Sequence, residues 1–474
     1  MNYFGIFSRV LFFILFFTSC SKSPEQHSMI ISGIEIVDVI NGSIISNQTI
    51  LINADTITKI VSETESSFHR SDITIDGRNK YLMPGLWDLH VHFRGGPPLV
   101  EENKKLLPLY IINGVTGVRD AGGDLTSSIL EWRDEINRGA TIGPSIFTSG
   151  PKLDGPNPTW QGSLEVTNEA DIQAAIDSLE SLGVDYIKIY DSRITRKAYL
   201  QILEEAKRRN IKTSGHMPFT VLLEEALNRD IHSIEHLYYV LKGCSAREKE
   251  ITENIRNGTF GFWGSMNELI ASYDSAVAEK TFASMINHDT YSVPTLHIGH
   301  VLSYLDQDSH KDDDYLNFIG PGIRNTYTGR VKRAMSASPQ AIESRHNLHQ
   351  TFRRLVKSMH EAGVQILSGS DAGAYNSYVY PGISIHKELE ILVACGLNPG
   401  EAIKTATING ATFMGKEEKF GSVEPGKYAD LLILKSNPLS DIRATRSIEY
   451  VILKGKPFHM SELENLLNGL KNSD

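Results

Sequence analysis

Eight short apolar runs alternate with helical stretches through the middle of this 474-residue chain, and that alternation leaves few folds open. The runs are LWDLHVHF (86–93), TGVRDAG (116–122), SIFTSG (145–150), YIKIY (186–190), IKTSGH (211–216), SIEHL (233–237), YSVPTL (291–296) and ILSGSDAG (366–373). Amphipathic stretches such as 170–182 and 196–209 lie between them. Strands spaced by helices make βα units and a parallel sheet. Eight such units point to a closed (β/α)8 TIM barrel. An open doubly wound sheet is the alternative, but the first strand is not followed by a glycine-rich nucleotide turn. The predicted class is therefore α/β, with the barrel spanning 83–419.

The flanks read differently. Residues 29–82 carry short alternating apolar and polar runs punctuated by Gly33, Asn41-Gly42, Asn53 and Gly77. A similar pattern returns in GSVEPGKYADLLILKSNP and SIEYVILKGKPF. Neither stretch can bury its own apolar face, so 29–82 and 420–460 are expected to form one small β-sandwich domain from both chain ends. The stretches 242–287 and 299–330 exceed simple connections and read as long loops over the barrel.

The first residues are set apart. Leu11 to Phe17 (LFFILFF) follow Arg9 and are too short to span a bilayer, as in a signal-peptide core. Phe17-Thr18-Ser19-Cys20 resembles a bacterial lipoprotein box. It implies a leader at 1–19, a lipid on Cys20, a polar tether over 20–28, and an exported, membrane-anchored protein in the periplasm or at the cell surface. A plain signal peptide or an uncleaved anchor are the alternatives. Cys244 and Cys395 remain, too few for a disulfide framework or a four-cysteine zinc site. Buried free thiols are the preferred reading, with pairing left open. The net charge of −10 and the absence of a basic run give nucleic-acid binding no support. Nothing fixes the oligomeric state, and a homo-oligomer remains open.

Barrel enzymes carry their reactive groups at the C-terminal ends of strands. The first strand ends in His90-Val91-His92, whose alternation sets both imidazoles on one face. The fourth supplies Lys188, the fifth His216, the sixth His236 and the eighth Asp371. Each alone has an ordinary reading, such as a snorkelling lysine or a turn aspartate. Six at strand ends make a specific signal, because imidazole and carboxylate are ligands that zinc and similar ions accept. Tyr238, Tyr239, His297 and Arg119 are candidate substrate-binding residues, Arg119 for a carboxylate, although an internal ion pair with a barrel acid is the preferred reading of Arg119. Asp88 and Glu235 are expected to point away from the mouth and serve packing.

The series PGLWDLHVHF, the lysine of the fourth strand, GH, SIEHL and GSDAG, with NPGEAIKTATINGATFMG and GSVEPGKYADLLIL near the end, resembles the amidohydrolase superfamily in its two-metal branch. It is most similar to the imidazolonepropionase-like and prolidase-like members, over nearly the whole mature chain. The resemblance implies two divalent ions, zinc first with manganese and iron also suited. His90, His92 and Asp371 would hold one ion, His216 and His236 the other, and carboxylated Lys188 would bridge them. An ammonium cannot ligate but a carbamate can, provided the lysine pKa is lowered enough for the free amine to react. A hydroxide shared by the ions would attack an amide-like carbonyl, and Asp371 would carry its proton to the leaving nitrogen. The implied substrate is a small amide, a cyclic amide or a short peptide. After the third strand the chain reads SGPKLDGPNPTWQGS, without the Gly-Gly-His-Gly of prolidase-like relatives, which puts dipeptide specificity in doubt. Three other readings are a phosphotriester or lactone hydrolase on the same centre, a one-metal deaminase, and a non-catalytic surface lipoprotein. The deaminase lacks its expected glutamate shortly after His216.

Overall fold

The computed structural model describes residues 24–471, so the leader, Cys20 and the start of the tether lie outside the described residues. The N-terminal flank forms β1 (Glu25–Asp38), β2 (Ser43–Asn53), β3 (Thr56–Ser62), β4 (His69–Asp76) and β5 (Tyr81–Pro84). The barrel strands follow: β6 (Leu86–His92), β7 (Val115–Asp120), β8 (Ser145–Thr148), the short β9 (Leu153–Asp154) and β10 (Leu164–Glu165), β11 (Ile187–Ile189), β12 (Thr213–Gly215), β13 (Ser233–Glu235), β14 (Tyr291–Val293) and β15 (Ala372–Gly373). The chain closes with β16 (Leu431–Leu434), β17 (Ile448–Leu453) and β18 (Lys456–His459).

The two flanks pair with each other as their unburied faces required. The sheet runs β18-β17-β16-β5-β1-β2-β3, with β4 on the other edge of β1. The joint between chain ends is antiparallel, Leu432 opposite Met83 and Leu434 opposite Tyr81. Met29, Ile31, Ile50, Ile75, Leu431 and Ile433 meet in one cluster, so the sheet curls over a core of its own. The predicted tether is shorter than expected. Glu25 to Ser28 already belong to β1 and pair in parallel with β4, because this stretch can satisfy its backbone groups on a neighbouring strand.

The barrel strands are parallel in two runs, β15-β6-β7-β8 and β9-β11-β12-β13-β14. Backbone bonds join the runs at both ends. Asp185 N–H donates to Thr148 O at 2.8 Å, and Leu367 N–H donates to Ser292 O at 2.9 Å. The eighth position is irregular, only Ala372–Gly373 being regular strand, yet Leu89 N–H still donates to Ser368 O at 2.9 Å. This is the (β/α)8 barrel with its separate β domain. Helices with side-chain caps pack outside it: Asn168 accepts from Asp171 N–H before Glu169–Ser181, and Thr195 from Ala198 N–H before Arg196–Arg208. The expected long loops are largely helical instead, as Glu248–Arg256, Met266–Ala271, Ser275–Asn287, Leu296–Ser303 and Pro321–Met335. Their apolar faces, including Ile251, Leu269, Phe282 and Ile323, are buried, and burial of such a stripe is what stabilises short helices. Cys244 and Cys395 are both buried and free.

Candidate metal centre

His90 and His92 leave β6 on the same face, as strand alternation requires, and their Nε2 atoms stand 3.2 Å apart. Asp371 Oδ1 lies 3.4 Å from His90 Nε2 and 3.1 Å from His92 Nε2, and Asp371 Oδ2 lies 4.0 Å from His236 Nε2. The rings of His216 and His236 sit 4.9 Å apart, and those of His90 and His236 5.2 Å. His90, His236 and Asp371 each offer a ligand atom within 4.8 Å of the others. Two of these residues depart from strand geometry. His236 has φ +63° and Asp371 φ +62°, a left-handed conformation that non-glycine residues seldom adopt. That twist turns His236 inward although Glu235, its neighbour, also points inward.

The far nitrogen of three rings is pinned. His92 Nδ1 meets Gly122 O at 3.0 Å and His216 Nδ1 meets Asp191 Oδ1 at 2.9 Å. Both partners only accept, so both rings carry their proton on Nδ1 and present an Nε2 lone pair to the centre. His236 Nδ1 contacts Thr295 Oγ1 at 2.7 Å. Burial holds His90, His92 and His216 well below the usual histidine range and His236 down to about 3, so all four are neutral. Neutral imidazoles aiming lone pairs at each other around a carboxylate form a donor set that a divalent cation fits. Lys188 stands below, its Nζ buried without a hydrogen-bond partner and in close contact with Glu235 Oε2. Burial, then the nearby Arg119 and Lys152, pushes its pKa well down. Arg119 Nη2 binds Glu235 Oε1 at 3.0 Å, so the Glu235 carboxylate is shared between Arg119 and Lys188.

Comparison with known proteins now meets this geometry. The sequence model of the amidohydrolase family matches residues 81–458. This chain belongs to the amidohydrolase family. It is a hydrolase acting on carbon–nitrogen bonds. Ochratoxinase from Aspergillus niger is 24% identical over 433 residues, 85% of this chain and 79% of that protein. The bottromycin amidohydrolase structure superposes with a TM-score of 0.71 at 20% identity, covering 93% of this chain and 89% of the other. A Xaa-Pro dipeptidase with bound methionine in its active site superposes at 0.66 with 22% identity, covering 91% and 99%.

Several expectations for this amidohydrolase need correction. Arg119 does not reach the mouth. It is fully buried inside the barrel, where Nη1 bonds Ser214 Oγ and Ser233 Oγ at 3.1 Å each, Nη2 bonds Glu235, and Nε donates to Leu89 O. His297 also misses the cavity: its helix turns it away, and its backbone N–H donates to Glu388 Oε2 at 2.6 Å. Asp88 and Glu235 lie inside the barrel and not outside it. Asp88 shares the parity of His90 and accepts from Ser370 N–H at 2.8 Å. Tyr239 holds Asp191 through its hydroxyl at 2.8 Å, which makes it a support for His216 as well as a wall residue. Tyr238 lies on the cavity wall among Phe262, Trp263 and Phe352. The cavity above the centre has a volume of about 680 Å³.

Sequence reasoning missed Asp191, Asn376, Arg94, Lys152 and Trp160. Asn376 Nδ2 donates to Asp371 Oδ1 at 2.7 Å, and Arg330 Nη1 donates to Asn376 Oδ1 at 2.9 Å. The missed cations had a signal. Arg94 continues the 90–92–94 alternation, and Lys152 follows the third strand directly.

Proposed function

We propose that this amidohydrolase cleaves the carbon–nitrogen bond of a small amide or short peptide at a two-metal centre held by His90, His92, His216, His236 and Asp371, with carboxylated Lys188 as the bridge. The convergence of Nε2 lone pairs on Asp371, with the far ring nitrogens pinned, is the observation that carries this reading. Divalent ions bound there would polarise the scissile carbonyl and lower the pKa of water. The chain itself does the rest. Asp371 accepts a proton from the attacking water and releases it to the leaving nitrogen, the role its place between the histidines and the cavity allows. Asn376, braced by Arg330, keeps the Asp371 carboxylate turned toward the centre. Arg119 takes one oxygen of Glu235 and burial lowers the Lys188 pKa, which favours the free amine that would react with carbon dioxide. The walls of Tyr238, Phe262 and Trp263 exclude bulk water from the acyl side.

The test joins metal analysis to turnover. Protein reconstituted with zinc is expected to hold two equivalents per chain and to hydrolyse members of a panel of dipeptides and N-acyl amino acids. Two bound ions without turnover on amides, or turnover confined to phosphotriesters and lactones, would overturn the amide assignment. Mass spectrometry of the intact protein in bicarbonate tests the carbamate, for which a mass gain equal to carbon dioxide is expected in the wild type and is lost in Lys188→Met.

The proposal extends to location: a lipid on Cys20 would hold the exported enzyme at a membrane. Among the described residues no helix is long and apolar enough to cross one. Radiolabelled palmitate is expected to label the wild type and not Cys20→Ala; labelling of both would refute the anchor.

A further inference from the structure

Two basic side chains beside the metal centre form no direct ion pair among the described residues. Arg94 is 4% exposed and forms no ion pair among the described residues. Its one side-chain hydrogen bond runs from Nε to Ala374 O at 2.9 Å. The guanidinium carbon lies over Trp160, 4.1 Å from the ring centre, and 5.8 Å from that of Tyr375. Lys152 is 1% exposed, and among the described residues its Nζ has no hydrogen-bond partner, only the rings of Trp160 at 5.2 Å and Tyr190 at 5.6 Å. Both line a side cavity of about 240 Å³, which shares Arg94, Thr159 and Trp160 with the main one. The carboxylates around them are engaged elsewhere: Asp124, on the same cavity, by Gly95 N–H at 2.9 Å, Asp120 by Thr148 Oγ1 at 2.7 Å and Asp371 by Asn376 Nδ2 at 2.7 Å. Burying two basic groups without a direct ion-pair partner is costly, and active sites keep such pairs for an anion that arrives with the substrate.

We propose that Arg94 and Lys152 form a subsite for a substrate carboxylate, so that the scissile amide belongs to an N-acyl amino acid or to a dipeptide with a free C-terminus. The fork of a guanidinium already oriented by Ala374 and Trp160 matches the two oxygens of a carboxylate, and Lys152 adds a point charge beside it. Arg94 stands two residues beyond His92, so an anion it holds lies next to the centre, within reach of the α-carboxylate of a leaving amino acid. Another part of the main cavity lining, formed by Tyr238, Phe262, Trp263 and Phe352, is apolar and suits the acyl part. This inference rests on the amide-hydrolase reading and gives it a substrate class.

The experiment compares N-acetyl-L-phenylalanine with N-acetyl-L-phenylalaninamide, which differ only in the charge. On zinc-reconstituted protein the carboxylate is expected to have the larger kcat/KM by tenfold or more. In Arg94→Gln and in Lys152→Met the ratio of the two is expected to fall at least fivefold, mostly through KM. Thermal melting of both variants checks that they fold, and Lys152→Met, which swaps one long unbranched side chain for another, remains informative if Arg94→Gln does not. Equal kcat/KM for the two compounds, or a ratio unchanged in the variants, overturns the subsite. If neither compound is cleaved, the hydrolase reading is what fails, and calorimetry decides the subsite separately. Tighter binding of the acid than of the amide, lost in Lys152→Met, upholds it, and equal binding sinks it.

Discussion

Two clusters of histidine and carboxylate in this molecule have similar density and opposite character. In the barrel, His90, His236 and Asp371 bring ligand atoms within 4.8 Å, and in the β domain Glu25, His27 and His69 do the same. The barrel cluster is enclosed, and Gly122, Asp191 and Thr295 fix the rings of His92, His216 and His236 from behind. In the β domain His27 Nε2 and His69 Nδ1 pair with each other at 3.1 Å, while His27 Nδ1 is buried with no partner. Glu25 there is half exposed and already bound to the Lys59 ammonium at 2.6 Å, which would repel an incoming cation. Donor density is therefore a poor guide to a metal site. The groups behind the donors, which aim each lone pair at the centre, are what distinguish the two.

That contrast can be broken experimentally. Asp371→Asn keeps the shape and most of the ligand field, so its effect should fall on turnover: a loss of about 10²–10⁴-fold in kcat with metal content retained, read by steady-state kinetics and metal analysis. Full activity in this variant would remove Asp371 from the reaction. Arg119→Met leaves Glu235 buried with its main partner gone, and is expected to cost on the order of 3–5 kcal/mol of stability, measured by denaturant unfolding of the metal-free protein. An unchanged midpoint would mean that the Arg119 pair contributes nothing net. Thr295→Val removes only the hydroxyl behind His236, and a drop of about 10–100-fold in zinc affinity is expected by competition with a chelator, with little change in melting. His69→Gln is the control at the other cluster. Zinc stoichiometry and turnover should not move, and loss of a zinc equivalent would show that the β-domain cluster is a site after all.

Legibility followed the same division. The residues meeting at the barrel mouth were readable because a strand imposes a period of two and a barrel collects strand ends, so His90 and His92 could be placed together from their spacing. Asp88 shares that parity and should have been placed inside by the same rule. Glu235 was unreadable for a physical reason: the positive φ of His236 breaks the alternation, and two successive side chains both turn inward. The segments 242–287 and 299–330 read as loops because their apolar residues find a face only against neighbouring helices and the barrel wall.

The chain alone determined the βα alternation, the joining of both ends in one sheet, and the set of imidazoles and carboxylate at the strand tips, since these follow from local periodicity and from apolar faces that need cover. Only the tertiary structure decided what charge each polar group meets. Arg119 found Glu235 and became internal framework, while Arg94 and Lys152, equally basic in sequence, form no ion pair among the described residues and were left facing a cavity. Pairing of charges depends on distances between residues far apart in the chain, and spacing along the chain does not encode them.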